Sequence, residues 1–86
     1  MTTLYVQHDY AVYGYGETRE DAIAMAALWL RDSAGRLGCS FEYAESLLVE
    51  MPKPGQMTLY QTPEPLPEEA ENWDGETLLD WYYDVA

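Results

Sequence analysis

Apolar and polar positions change their rhythm along the chain, and each rhythm predicts an element. Leu4-Tyr5-Val6 and Tyr10-Ala11-Val12-Tyr13 are short β-prone runs separated by His8-Asp9, which predicts an N-terminal β-hairpin. Gly14-Tyr15-Gly16-Glu17 ends the second strand. Thr18 is a good helix N-cap, and Glu20 and Asp21 put negative charge where the helix dipole favours it. From Ala22 to Leu30 every residue is apolar, the mark of a helix buried on more than one side. Ile23, Ala26, Ala27 and Leu30 are expected on the sheet. Met25, Leu28 and Trp29 then need a second cover from the C-terminal half. The helix is expected to run on to the region of Gly35 to Gly38.

The middle of the chain admits two periods. Phe41, Ala44, Leu48 and Met51 are spaced for a helix. Residues 47–51, Pro52-Lys53-Pro54-Gly55 and residues 56–61 also read as strand, turn and strand. A short helix over 40–47 followed by a second hairpin is the expectation. Residues 62–67 alternate proline and predict an extended connection to an acidic helical segment. Pro67 suits the first position of a helix continued by Glu68 and Glu69. Asp74 can cap a last helix, in which Leu78, Leu79, Tyr82 and Val85 share a face opposite Asp80, Trp81 and Asp84. That apolar face is the expected cover for Met25, Leu28 and Trp29. The whole predicts one small α+β domain over residues 1–86.

Composition then narrows the function. The 86 residues carry 16 acids against 4 bases, a net charge of −12. Residues 1–53 hold all four bases and half the acids. Residues 54–86 hold the other eight, Glu64, Glu68, Glu69, Glu71, Asp74, Glu76, Asp80 and Asp84, and no Lys or Arg. Direct phosphate binding to nucleic acid is excluded for practical purposes, because four scattered cations release few counterions. No apolar run approaches the roughly 20 residues of a membrane span. Met1 to Val6 has neither the basic nor the apolar region of a signal peptide, so a cytoplasmic protein is expected. An acidic surface of this size serves solubility. It also steers a cationic partner, and Trp73, Trp81, Tyr82 and Tyr83, side chains favoured as interface anchors, are interleaved with the acids.

Candidate chemistry is sparse. Gly14-x-Gly16 lacks a Lys-Ser/Thr pair and is followed by Glu17, Glu20 and Asp21, which repel phosphate; it reads as a bulge or turn. Cys39 is the single cysteine, with no base beside it, and reads as a packing residue. His8, the single histidine, stands at no recognisable nucleophile spacing. The acids do not match a calcium loop. Tyr5, Tyr13 and Tyr15 could line one sheet face, with Arg19 as the local cation. No enzyme activity, cofactor or metal is expected.

Two resemblances add to this. Gly16-Glu17-Thr18-Arg19-Glu20-Asp21-Ala22-Ile23-Ala24-Met25-Ala26 resembles the strand-to-helix junction of HicB-type antitoxins, which implies a β-β-α start. The rest of that pattern, including a basic DNA-binding tail, is missing here. In size, acidity, Tyr/Trp content and absence of a catalytic motif, the whole chain resembles the anti-CRISPR proteins of phages and mobile elements. That resemblance implies an inhibitor in the host bacterial cytoplasm that blocks DNA or RNA engagement by occupying the cationic nucleic-acid surface of a CRISPR-Cas effector. The expected contact residues are Glu68, Glu69, Glu71, Asp74, Glu76, Asp80 and Asp84, with Trp81 as aromatic anchor. The alternative is an antitoxin-like or adaptor module that neutralises a basic protein.

Overall fold

Residues 1–85 are described by a computed structural model. The two N-terminal runs form β1 (Thr3–Gln7) and β2 (Ala11–Gly16), paired antiparallel as expected. Between them the Tyr10 amide donates to the Gln7 carbonyl, and Tyr10 takes a left-handed φ of 64°, a position glycine occupies more easily. The register slips by one residue between Tyr5 and Val6, so Tyr13 is a bulge. Gly14 therefore stands opposite Tyr5, and Val12 opposite Val6.

Thr18 caps α1 (Arg19–Trp29), its hydroxyl accepting from the Asp21 amide at 3.1 Å. The helix ends at Trp29, short of the glycines expected to close it. Leu30 turns extended, and the chain folds back so that the Gly38 and Cys39 amides donate to the Leu30 and Ala27 carbonyls. Asp32 holds this return. Its carboxylate accepts from the Ala34 and Arg36 amides at 2.9 Å and from the Arg36 guanidinium at 3.0 Å. An aspartate that satisfies a local turn competes with helix continuation. Ser40 caps α2 (Phe41–Ser46) by accepting from the Tyr43 amide, and an exposed ion pair, Arg19–Glu45, links α2 to α1.

The expected second hairpin does not form. The turn at 53–56 is present, with the Gln56 amide donating to the Lys53 carbonyl and Gly55 at φ 87°, and β3 (Met57–Gln61) follows it. However, residues 47–51 make only a single parallel bridge, Leu48 to Met57. β3 pairs antiparallel with β1 along its whole length, giving the sheet order β2-β1-β3. The physical reason lies in β1. Leu4, Tyr5 and Val6 are all buried, so this strand is covered on both faces, and a strand covered on both faces takes the centre of the sheet.

The two faces of β1 head two cores. Tyr5 packs with Ala22, Ile23, Ala26 and Ala27 of α1, Leu30 just beyond it, Ala44 of α2, and Met57. Leu4 and Val6, with Val12, pack against Ala70, Leu78 and Leu79. Ala70 belongs to a short 3₁₀ helix (Glu68–Asn72) and the leucines to α3 (Gly75–Val85). Pro67 sits one place outside that 3₁₀ helix rather than at its first position. The connection between β3 and the 3₁₀ helix is tied down. Thr62 is buried, its amide donates to the Thr2 carbonyl, and the Leu66 amide donates to the Thr2 hydroxyl.

This arrangement overturns the expected cover for α1. α3 lies on the opposite face of the sheet, so it shields Leu4 and Val6 and not Met25, Leu28 and Trp29. Leu28 is 66% exposed and Trp29 59%. β2 is clasped from both sides. A Cβ on Gly14 would lie 2.2 Å from the Ala22 carbonyl oxygen, and one on Gly75 would lie 2.7 Å from the Val12 carbonyl oxygen. Glycine at these two points lets α1 and α3 settle directly onto the strand.

Candidate partner-binding surface

The C-terminal acids occupy two elements whose apolar sides are committed to the second core. In the 3₁₀ helix Ala70 is buried, while Glu68, Glu69 and Glu71 are exposed. Residues three apart eclipse in this geometry, so Glu68 and Glu71 share one edge. In α3 Leu78 and Leu79 face the sheet, and Glu76, Asp80 and Asp84 recur at four-residue intervals on the solvent side. One such interval is about 6 Å along the axis, so the three carboxylates form a row about 12 Å long. All seven predicted carboxylates are thus exposed. None takes part in the two ion pairs among the described residues, Arg19–Glu45 and Arg36–Asp32. They are spread and not convergent: no three His, Cys, Asp or Glu side chains among the described residues come together as metal ligands.

Two predicted site residues have other work. Asp74 caps α3, its Oδ1 accepting from the Thr77 amide at 2.8 Å. Hydrogen bonds from Thr77 hold its carboxyl below the usual carboxylate range. Trp81 is not a free aromatic anchor. It is half-buried and packs on the second core, because it follows Leu78 by three residues and so flanks the buried stripe of α3. Tyr82 is half-buried as well, with its ring 4.7 Å from that of Tyr60, while Tyr83 is exposed.

The tyrosines expected on one sheet face are divided. Tyr5 is fully buried and its hydroxyl donates to the Ala44 carbonyl; burial pushes its phenol well above the ordinary tyrosine range. Tyr13 packs toward the first core and donates to Asp9 Oδ2 at 3.2 Å, and Tyr15 packs toward the second core. The register sets Tyr15 opposite Leu4 and Gly14 opposite Tyr5, so Tyr5 and Tyr15 face opposite ways, and the bulge turns Tyr13 from the Tyr15 face to the Tyr5 face. Arg19, the local cation, is held by Glu45 at 2.6 Å. Cys39 is half-buried against the first core, and burial, followed by the nearby Asp32 carboxylate, pushes its thiol up, the opposite of an activated nucleophile.

A groove of about 590 Å³, overlooked in the sequence, runs beside β2. Residues Ala11 to Tyr15 form its floor. Met25 and Trp29 of α1 form one wall, and Ala70, Trp73 and Leu78 the other, with Glu71 and Asp74 on its rim. The uncovered apolar back of the first helix was the available signal. The sequence pattern alone directs that back toward intramolecular packing. No helix among the described residues is long and apolar enough to cross a membrane. Comparison with protein-family models, curated proteins and solved structures finds no match to this chain.

Proposed function

We propose that this chain is a small acidic binding protein that inhibits a nucleic-acid-handling complex by occupying its cationic groove, in the manner of anti-CRISPR proteins that act on CRISPR-Cas effectors. One observation carries the reading. Residues 54–86 contain eight carboxylates and no cation, and the seven on and around the 3₁₀ helix and α3 are all exposed and outside the ion pairs. Such a surface presents carboxylates where a nucleic acid presents phosphates, and Arg and Lys of the partner would pair with them. The aromatic contribution comes from Tyr83 in this reading, since Trp73 and Trp81 both pack on the second core.

The test is competition for a purified effector complex between this protein and labelled target DNA, over a salt series. A variant carrying Glu68→Gln, Glu71→Gln, Asp80→Asn and Asp84→Asn leaves the cap Asp74 intact. Inhibition should weaken at least about tenfold in the variant and decline with salt in the parent, as charge-steered association does. Full inhibition by the variant refutes the reading. A tight complex with a small basic protein, and no effect on any effector, would replace it with the antitoxin-like alternative.

A further inference from the structure

We propose that the outer edge of β2 is a strand-addition site for an extended, cationic segment of a partner protein. The inference stands on the groove beside β2 and is independent of the acidic row on α3; only Glu71 and Asp74 belong to both surfaces.

β2 is an edge strand. β1 lies on one side of it, and on the other its residues make no backbone hydrogen bond to any other described segment. α1 and α3 lie on opposite faces of the sheet. A groove touching Met25 and Trp29 as well as Trp73 and Leu78 must therefore pass the free edge of the strand between them. Its floor is five consecutive residues, Ala11 to Tyr15, about 14 Å of backbone at strand rise. An extended peptide laid there would pair with the unpaired amides and carbonyls. Its alternate side chains would reach the Trp29 wall and the Trp73 wall in turn, the pattern of strand-addition recognition.

Edge strands are ordinarily blunted by lysine, proline or a covering element. β2 contains neither residue; it is protected by the bulge at Tyr13 and, at its start, by Gly75 of α3, which lies against the Val12 backbone, so the proposed pairing falls on Tyr13 to Gly16. The walls instead offer two tryptophans beside an accessible edge.

The occupant follows from charge. Asp9 reaches Tyr13 at one end of the strand, Asp21 lies against Gly16 at the other, and Glu71 and Asp74 rim the groove between. No Lys or Arg lines it, and the nearest cation in sequence, Arg19, is paired with Glu45. Lysine or arginine on the peptide would meet these acids, while its apolar residues lie on Trp29 and Trp73. A second copy of this chain fits poorly, since edge-to-edge pairing would bring two molecules of net charge −12 together.

The probe is a seven-residue peptide alternating lysine with valine, compared with its glutamate–valine counterpart and with a lysine–valine peptide N-methylated at alternate amides. The readouts are tryptophan fluorescence and amide hydrogen exchange on the full chain. The lysine–valine peptide should saturate and slow exchange of the outward amides of residues 13–16, with little change in β3. N-methylation and Trp29→Ala should each weaken binding at least about tenfold; Trp29 is exposed, so its truncation leaves the fold intact. No protection of β2 at millimolar peptide overturns the proposal. So does binding indifferent to N-methylation, which would be charge attraction alone. Self-association that protects the β2 amides without peptide would assign the edge to a second copy and equally overturn it. Failure of effector inhibition leaves these readouts untouched, so the two proposals fail separately.

Discussion

Substituting Gly14 by alanine tests the claim that α1 rests directly on β2. The new methyl would lie 2.2 Å from the Ala22 carbonyl oxygen, 2.5 Å from the Ala26 amide nitrogen and 2.9 Å from the Ala26 Cβ. Two of these neighbours are helix backbone, which cannot rotate out of the way. Ordinary contact requires about 3.5 Å, so the helix must lift by about 1 Å. Lifting it opens a gap between the sheet and Ala22, Ile23, Ala26 and Ala27, all buried. A radial gap of ~0.5–1 Å already forfeits about a quarter to a half of each dispersion contact. Overpacking typically costs about 1–3 kcal/mol, and backbone clashes place this case at the upper end. Restricting the unfolded chain returns ~0.4–1 kcal/mol. A net loss of about 2–2.5 kcal/mol is expected, read by urea unfolding followed by far-UV circular dichroism. In a domain of this size that is a fall in Tm of about 10–20 °C. The control is Ala24→Gly at an exposed site in the same helix, for which propensity alone predicts about 1 kcal/mol. A Gly14→Ala variant that loses less than its control would refute the close approach of strand and helix.

Two further outcomes follow from single hydrogen bonds. Tyr5→Phe leaves the Ala44 carbonyl without its partner and should cost about 1–2 kcal/mol. The Tyr5 phenol is raised in the folded state, so its contribution is complete below the unfolded tyrosine value near pH 10 and is lost as pH rises above it; stability should fall from about pH 10 upward, less steeply in Tyr5→Phe. Asp74→Ala should fray the first turn of α3 and reduce the helical signal, while Asp74→Asn retains most of it, because asparagine caps comparably. The lowered carboxyl of Asp74 makes the parent's contribution present above the unfolded aspartate value near pH 4 and lost as pH falls below it, a dependence the Asn variant should lack.

Local signals were legible, and distant partners were not. Thr18 and Asp74 declared their caps because a cap is a contact over three residues. The first hairpin was legible because its two strands are separated by a three-residue turn. β3 was visible as a strand, but its partner lies fifty or more residues away, and no local feature selects β1 over residues 47–51. One clue stood in Leu4-Tyr5-Val6. Three consecutive apolar residues in a short strand mean cover on both faces, which reserves the C-terminal helix for the Leu4–Val6 face. The exposed carboxylates were legible from charge alone. The groove was not, since it joins β2, α1 and the segment around Trp73.

Charge and exposed apolar surface belong together in this molecule. Leu28, Trp29 and Met51 are exposed in a domain small enough that such surface ordinarily promotes association. The same domain carries a net charge of −12, which sets any two copies against each other. A charge of this size also opposes the compact state, so its retention has a cost that the two cores must offset. Solubility alone would be met more cheaply by placing polar residues at Leu28 and Trp29. In the proposed strand addition, an apolar wall beside the strand edge, rimmed by acids, would turn the repulsion into a filter: like-charged copies would be kept off, and a cationic chain would meet attraction at the rim before it meets the tryptophans. On this reasoning electrostatics governs which partner arrives and how fast, and the aromatic walls govern how long it stays.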